Sequence, residues 1–470
     1  MNNNNRLNRT RLAAFVSPEA PLAAFLMVVV VFIPPFYAGT MGLGLSVVGL
    51  IFGLTKLWDV MTDPVFGVLS DNIYTRWGRR RPWLVVSAPV LMICTYFTFV
   101  PEPPVSGTYF AFWMLLLYVG WTLASVSHIS WAAEMSGDYH ERSRISAYKQ
   151  GAGLIGAIFV MSVVALADHI PDFSDTNRLQ LIAAVLIVCL PVCILLAILA
   201  APEPVSVKPT AIHSVKPFAV LLKNGPLRRL VLANLLIGIA TGSIAGMFIF
   251  FATKVLALGA WSSSLLLPWF LSALLFLPVC IRLSKRFGKH KTLCIALIYY
   301  VFSSTLFLFL PEGNVILSCA ALLFMGSAQA VGTYIPAAIM ADVTDFDAVH
   351  SGRQRTGLYM SILQTSSKLA AAFSVGLSYP ILELIGFDAS PGALNSTEVL
   401  NSMRWVMVLF PGGIYLLVIG LMWNFPIDEA RQINLRRDFV ASSSGSLAAD
   451  SKLTAAVVPH ANLMSAEENR

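Results

Sequence analysis

Apolar stretches of about 20 residues recur along the whole chain, each long enough to cross a hydrocarbon core ~30 Å thick. In that medium only helices and closed barrels satisfy every backbone N–H and C=O. A barrel would read as short segments of alternating polarity, so these uninterrupted runs predict helices. Twelve spans are expected, at roughly 20–44, 47–70, 83–101, 108–134, 148–168, 180–201, 228–253, 262–281, 292–310, 315–341, 357–385 and 402–424. The fold class implied is an all-α polytopic membrane protein. Charged residues make up 12% of the chain, about half their share in a soluble domain.

The connections are short except for 202–227 (PEPVSVKPTAIHSVKPFAVLLKNGPL). That segment divides the chain into an N-terminal six-helix bundle, 20–201, and a C-terminal one, 228–424. Residues 1–19 precede them. A tail, 425–470, turns polar and Ser/Ala-rich after about 439 and is expected to be partly disordered. The start, MNNNNRLNRTRLAAF, lacks a small-residue cleavage site after its first apolar run, which therefore reads as a permanent span.

Of the 32 Lys and Arg residues, 27 fall on the side of the membrane that carries the N-terminus. The other side has Arg178, Lys254 and Arg404, and Lys56 and Lys368 lie within spans. This asymmetry places both termini in the cytoplasm of a cell (inner) membrane protein. It also accounts for the net charge of +7, so no nucleic-acid partner is expected. The partners expected are a small-molecule substrate, a coupling cation and membrane lipids, with the chain a monomer. The six cysteines all lie in apolar segments without ligand spacing, and neither a disulfide framework, a zinc site nor a cofactor is indicated.

Within the second span, Lys56, Asp59 and Asp63 follow an i, i+3, i+7 spacing and share one helical face. Each ionised group at that depth costs at least about 2.5–3.5 kcal/mol, so three of them need a function. A basic residue and two carboxylates facing one way make an ionic site suited to a cation. A proton or a hard cation such as Na⁺ would use the carboxylate oxygens. Lys368 is a second isolated charge, too far from its helix ends to snorkel easily. The two halves also echo each other: Trp77-Gly78-Arg79-Arg80-Arg81 follows the second span and Phe287-Gly288-Lys289-His290-Lys291 the eighth. An aromatic-Gly-basic turn at the same place in each half indicates two six-helix repeats.

Three segments carry a resemblance. LWDVMTDPVFGVLSDNIYTRWGRRRPW (57–83), SWAAEMSGDYHERSRISAY (130–148) and MADVTDFDAVHSGRQRTGLYMSILQTSSKLAAAF (340–373) stand in both halves in the right order. They resemble the glycoside–pentoside–hexuronide:cation symporters, the melibiose-carrier-like branch of the major facilitator superfamily. The resemblance implies a major facilitator fold, with two bundles related by a pseudo-two-fold axis along the membrane normal and a central cavity. It also implies cation-coupled uptake of a sugar or glycoside by alternating access.

Carried over by residue, it makes Asp59 and Asp63 the cation-site carboxylates, with Thr62, Lys56 and Lys368 around them. Trp131 matches an aromatic used for sugar stacking, and Lys149 follows Tyr148 where relatives carry an arginine. His128 is a substrate contact or a titratable partner, and Tyr359 and Gln364 lie within two turns of Lys368. The chain also departs from the pattern. Ser127 replaces a sugar-binding aspartate, and Ala124, with Ser125 beside it, replaces a hydroxyl that helps bind Na⁺. The first span, begun at residue 20, offers no carboxylate. These losses leave an amphipathic substrate, such as a lysolipid or hydrophobic acid, as the alternative to a sugar. Asp71, Arg76, Arg79, Arg80, Arg81, Asp138, Glu141, Arg142, Arg144, Asp342, Asp345 and Arg353 read as inner-gate groups locking the two halves. Exposed ion pairs are individually weak, so only a network of them could hold a gate. A membrane enzyme is disfavoured: the aspartates share one helix, and no HExxH, GxSxG or nucleotide-binding motif accompanies them.

Overall fold

The computed structural model describes residues 8–73, 75–135, 139–171, 173–201, 224–351 and 356–427. Among them, regular structure is helical apart from one isolated bridge, Thr75 to Gly78. Residues 202–223 of the central segment and the tail beyond residue 427 lie outside the described residues.

Twelve rods follow one another. The first is broken into α1 (Arg9–Val16) and α2 (Glu19–Val31). The others of the first half are α3 (Leu45–Asn72), α4 (Arg81–Phe99), α5 (Gly107–Glu134), α6 (Tyr139–Ala167) and α7 (Asp175–Ala200). The second half holds α8 (Gly225–Phe250), α9 (Leu266–Phe287), α10 (Lys289–Ser304), α11 (Val315–Ser351), α12 (Thr356–Leu384) and α13 (Thr397–Met422). Ser106, Ser174, Asn224 and Ser396 start four of them, each accepting a backbone N–H three residues on.

Eleven of the rods are long and apolar enough to span a membrane. The exception, α12, carries Lys368, Glu383 and several serines. The chief difference from the sequence expectation is at the start. The first rod begins at Arg9, not near residue 20, and bends at Ser17-Pro18. Glu19 therefore belongs to it, and the expectation of a first span without a carboxylate is corrected. The signal was the apolar run Leu12–Val16 ahead of the proline, all but Ala13 and Ala14 of it buried.

The packing repeats between the halves. In the first, the first rod packs on the fifth, the second and third on the fourth, and the third on the sixth; the second half repeats the same pairs as seventh on eleventh, eighth and ninth on tenth, ninth on twelfth. The first rod of each half ends in a π-helical turn, Phe36–Thr40 and Phe251–Val255. Gly78 and Gly288 hold the two basic turns at φ 104° and 83°, where a Cβ would be strained. Across the halves, α3 packs on α12, α6 on α9 and α2 on α8, which is the set a two-fold axis generates.

At the ends of the rods remote from the basic turns the halves also touch through polar and ring contacts. The Ser46 amide donates to Glu383 at 2.9 Å, and the His169 and Trp261 rings lie 4.4 Å apart.

Close backbone approach sets these crossings. A Cβ on Gly156 of α6 would overlap the Ala20 carbonyl of α2, whereas one on Gly151, in the same helix, would meet nothing within 4 Å. Overpacking costs roughly 1–3 kcal/mol. Gly156→Val is therefore expected to lower the midpoint of thermal unfolding in detergent, while Gly151→Val leaves it near the wild-type value. Equal midpoints would show that α2 and α6 do not depend on this contact.

Candidate functional site

The i, i+3, i+7 spacing does place Lys56, Asp59 and Asp63 on one face of α3, with Lys56 3% and Asp59 1% exposed. That face meets α12. Helix α12 runs antiparallel and so close that a Cβ on Gly53 would stand 3.3 Å from the Ala372 carbonyl. One turn before Ala372, Lys368 reaches across. Its Nζ lies 3.1 Å from Asp59 Oδ2 and 2.5 Å from Asp63 Oδ2. The lysine of one half thus clamps both carboxylates of the other. Lys56 does not pair with Asp59. Its ammonium sits over the face of Tyr118, 4.2 Å from the ring centre. Thr62 donates its hydroxyl hydrogen to the Asp59 backbone carbonyl at 3.1 Å, which leaves the lone pairs of its oxygen for a cation.

A residue missed in the sequence completes the site. Thr122 of α5 donates its hydroxyl to Asp59 Oδ1 at 3.0 Å. The hydroxyl thought lost at Ala124 is supplied half a turn earlier, and Ser125 instead faces the Thr122 carbonyl at 3.5 Å. Nothing in a single sequence marks Thr122 over its neighbours, because only the rotation of α5 aims it at α3. Asp63 Oδ1 is buried without a hydrogen-bond partner, a costly state for a carboxylate oxygen.

A second polar cluster lies in the first half. Glu19 Oε2 stands 3.2 Å from Lys149 Nζ and 3.4 Å from His128 Nδ1. His128 is fully buried, with Nε2 3.1 Å from the Phe15 carbonyl oxygen. Trp131 is fully buried as well, edge-on to Phe15, with the Arg81 guanidinium 5.7 Å from its ring. In this conformation Trp131 packs in the interior of the first half. Tyr359 is likewise inside the protein, where it accepts from Asn224 Nδ2 at 3.1 Å. Ser127 is buried and Gln364 is exposed. Of the residues expected around one substrate, His128, Lys149 and Trp131 gather around Glu19 and Phe15, while Tyr359 packs against Asn224.

A cavity of about 170 Å³ lies between the halves, walled by Met27, Val30 and Val31 of α2, Ile244 and Phe248 of α8, and Trp269 and Phe270 of α9. Thr241 and Gln329 are its polar lining.

Of the expected gate groups, Arg79 and Arg80 both bind Glu134 at the end of α5, and Arg80 also donates to Ser70 at 2.8 Å. In the second half Lys289 binds Asp342 at 2.6 Å. Each pair ties the turn after a half's second rod to that half's fourth rod. Arg144 pairs with Glu141 at 2.9 Å on the same helix, and Arg81 donates to the Ala201 carbonyl. These contacts of the expected gate groups brace each half internally. Lys289 and Glu134 had not been named among them. Arg76 is exposed and Asp345 half-buried. Asp138 and Arg353, and the side chains of Asp71 and Arg142, lie outside the described residues.

Residues 14–429 match the family model "MFS/sugar transport protein". The chain is 27% identical to the human sodium-dependent lysophosphatidylcholine symporter 1, covering 87% of this chain and 82% of that protein. It is 23% identical to the glucuronide carrier protein homolog of Escherichia coli strain K12, covering 85% and 88%. Among solved structures, the nucleoside transporter NupG superposes with a TM-score of 0.66 at 13% identity, over 90% of this chain and all of that one. The D-xylose–proton symporter gives 0.63 at 16% identity, over 89% and 96%. The duplicated six-rod packing, the inter-half carboxylate–lysine clamp and the match over most of the chain agree, and the chain belongs to the MFS/sugar transport family as a multi-pass transporter of the major facilitator fold.

Proposed function

We propose that the protein is a symporter in which a monovalent cation at Asp59 and Asp63 drives uptake of an amphipathic small molecule. The observation that carries the coupling is the Lys368 clamp. Two lysines and two aspartates balance in charge without a cargo ion. A cation entering at the unpartnered Asp63 oxygen adds one positive charge in a low-dielectric site, and the surplus is relieved when Lys368 withdraws. Because Lys368 belongs to the other half, cation occupancy is tied to how the halves meet on the α3–α12 surface. Thr122 and the Asp63 carboxylate supply oxygen ligands suited to Na⁺, and either carboxylate suits a proton. With the basic turns on the cytoplasmic side of a cell membrane, the contacts remote from them close the outer face.

The cavity supports an amphipathic substrate. Its walls are Met, Val, Ile and aromatic, a surface that rewards an apolar body and leaves sugar hydroxyls unpaired. Glu19 and Val30 share one face of α2, eleven residues or ~16 Å apart. A long ligand could therefore lay its apolar part in the cavity and its polar part toward Glu19 and Lys149. The lysophosphatidylcholine relative accords with this. A sugar-bearing substrate is the second reading, favoured by Thr241 and Gln329 in the lining and by the glucuronide carrier.

In proteoliposomes, Asp63→Asn is expected to abolish gradient-driven accumulation while the protein still inserts. Coupling is reciprocal, so substrate affinity should also lose its cation dependence, a change on the order of 10-fold for about 1.4 kcal/mol. Full cation-stimulated uptake by this variant would exclude the site. For the substrate, lysolipids are expected to raise the thermal unfolding midpoint of the purified protein, and simple sugars to leave it unmoved. Stabilisation by sugars or glycosides alone would reverse the order of the two readings.

A further inference from the structure

His128 poses a proton-counting problem that the coupling site does not. Its Nε2 lies 3.1 Å from the Phe15 carbonyl oxygen, which can only accept, so Nε2 must carry the hydrogen. In a neutral imidazole the other nitrogen, Nδ1, is then a bare lone pair. That nitrogen is buried, lacks a hydrogen-bond donor and faces Glu19 Oε2 at 3.4 Å. The lone pairs of a fully buried imidazole nitrogen and a partly exposed carboxylate directed at each other repel, and one proton placed between them turns the repulsion into a charge-assisted hydrogen bond.

We infer that Glu19 and His128 form a second cation site, specific for a proton and separate from Asp59 and Asp63. The proton comes from hydronium in the surrounding water: one O–H bond of H₃O⁺ breaks to leave H₂O as the bond to Nδ1, or equally to Oε2, forms, and the reverse step releases it. The charged groups acting on His128 are Glu19 of α2 and Lys149 of α6. Arg81 of α4 is directed to the Trp131 ring and the Ala201 carbonyl. Lys149 shares the Glu19 oxygen at 3.2 Å and holds the carboxylate in place, so uptake of the proton takes the cluster from neutral to a single positive charge. Glu19 is held by the α2–α6 crossing, where Gly153 leaves room for it: a Cβ there would stand 3.4 Å from Glu19 Cγ. The site involves only the first half, whereas the Lys368 clamp spans both. The transporter therefore binds two cations by different rules, one sensed by the contact between halves and one by the first rod.

The test is ¹⁵N NMR of histidine-labelled protein in liposomes, with His128 assigned by difference from His128→Gln. Over roughly pH 5 to 8, the range in which imidazoles change charge, Nδ1 of His128 is expected to pass from proton-bearing or strongly hydrogen-bonded to bare as pH rises. Glu19→Gln replaces the proton with an amide donor, and should abolish this transition or move it down by about one pH unit or more. Asp63→Asn should leave it unchanged, which separates this site from the coupling site without reference to any substrate. A bare Nδ1 throughout the range in the wild-type protein overturns the inference. So does a transition that survives unshifted in Glu19→Gln or disappears in Asp63→Asn.

Discussion

The ammonium of Lys368, held between Asp59 and Asp63, is the interaction on which the arrangement of the two halves depends. A lone charge at that depth would be expensive, and neither partner can be removed without leaving the other exposed to that cost. The clamp is possible because α3 and α12 approach at Gly49 and Gly53, where a Cβ on either residue would crowd the carbonyls of α12. Close backbone contact supplies the packing in a medium where apolar surfaces gain nothing from meeting each other. The same small-residue contact recurs at Gly156 against α2 and at Gly238 and Gly242 against α12. Polar groups decide where the halves meet, and glycines decide how closely.

The charged turns have a different role. Arg79, Arg80 and Glu134 in one half, and Lys289 and Asp342 in the other, occupy matching places in the repeat. Each fastens a turn to a helix of its own half. Such bracing lets six rods move as a body, which alternating access requires if a strained glycine turn is not to absorb the motion. The moving surfaces are then those between α3 and α12, α6 and α9, and α2 and α8.

The polar and apolar groups of the transport route are kept apart. The proposed cation site lies on α3, α5 and α12, the Glu19–His128–Lys149 cluster on α2, α5 and α6, and the cavity between α2, α8, α9 and α11. Helix α5 carries both Thr122 and His128, and α2 carries both Glu19 and the cavity wall. These two rods are the physical links through which occupancy of one region bears on another.

The sequence alone determined the twelve helices, their division into two repeats and the single helical face shared by Lys56, Asp59 and Asp63. Hydrocarbon forbids unpaired backbone groups and unpaired charges, so apolar run length and isolated Asp or Lys residues are hard to misread. The repeat was visible in two aromatic-Gly-basic turns, since their glycines are required by a left-handed backbone. Tertiary structure decided the rest. That Lys368 binds both aspartates while Lys56 rests on Tyr118, that Thr122 and not Ser125 serves Asp59, and that Trp131 is packed away all depend on helix rotation, which periodicity does not set. Glu19 escaped because a proline interrupts the first rod just before it, and a span read by apolar run alone begins too late. The cavity was the least legible feature, because its walls come from four helices whose residues look like any membrane-buried Met, Val or Phe until the rods are brought together.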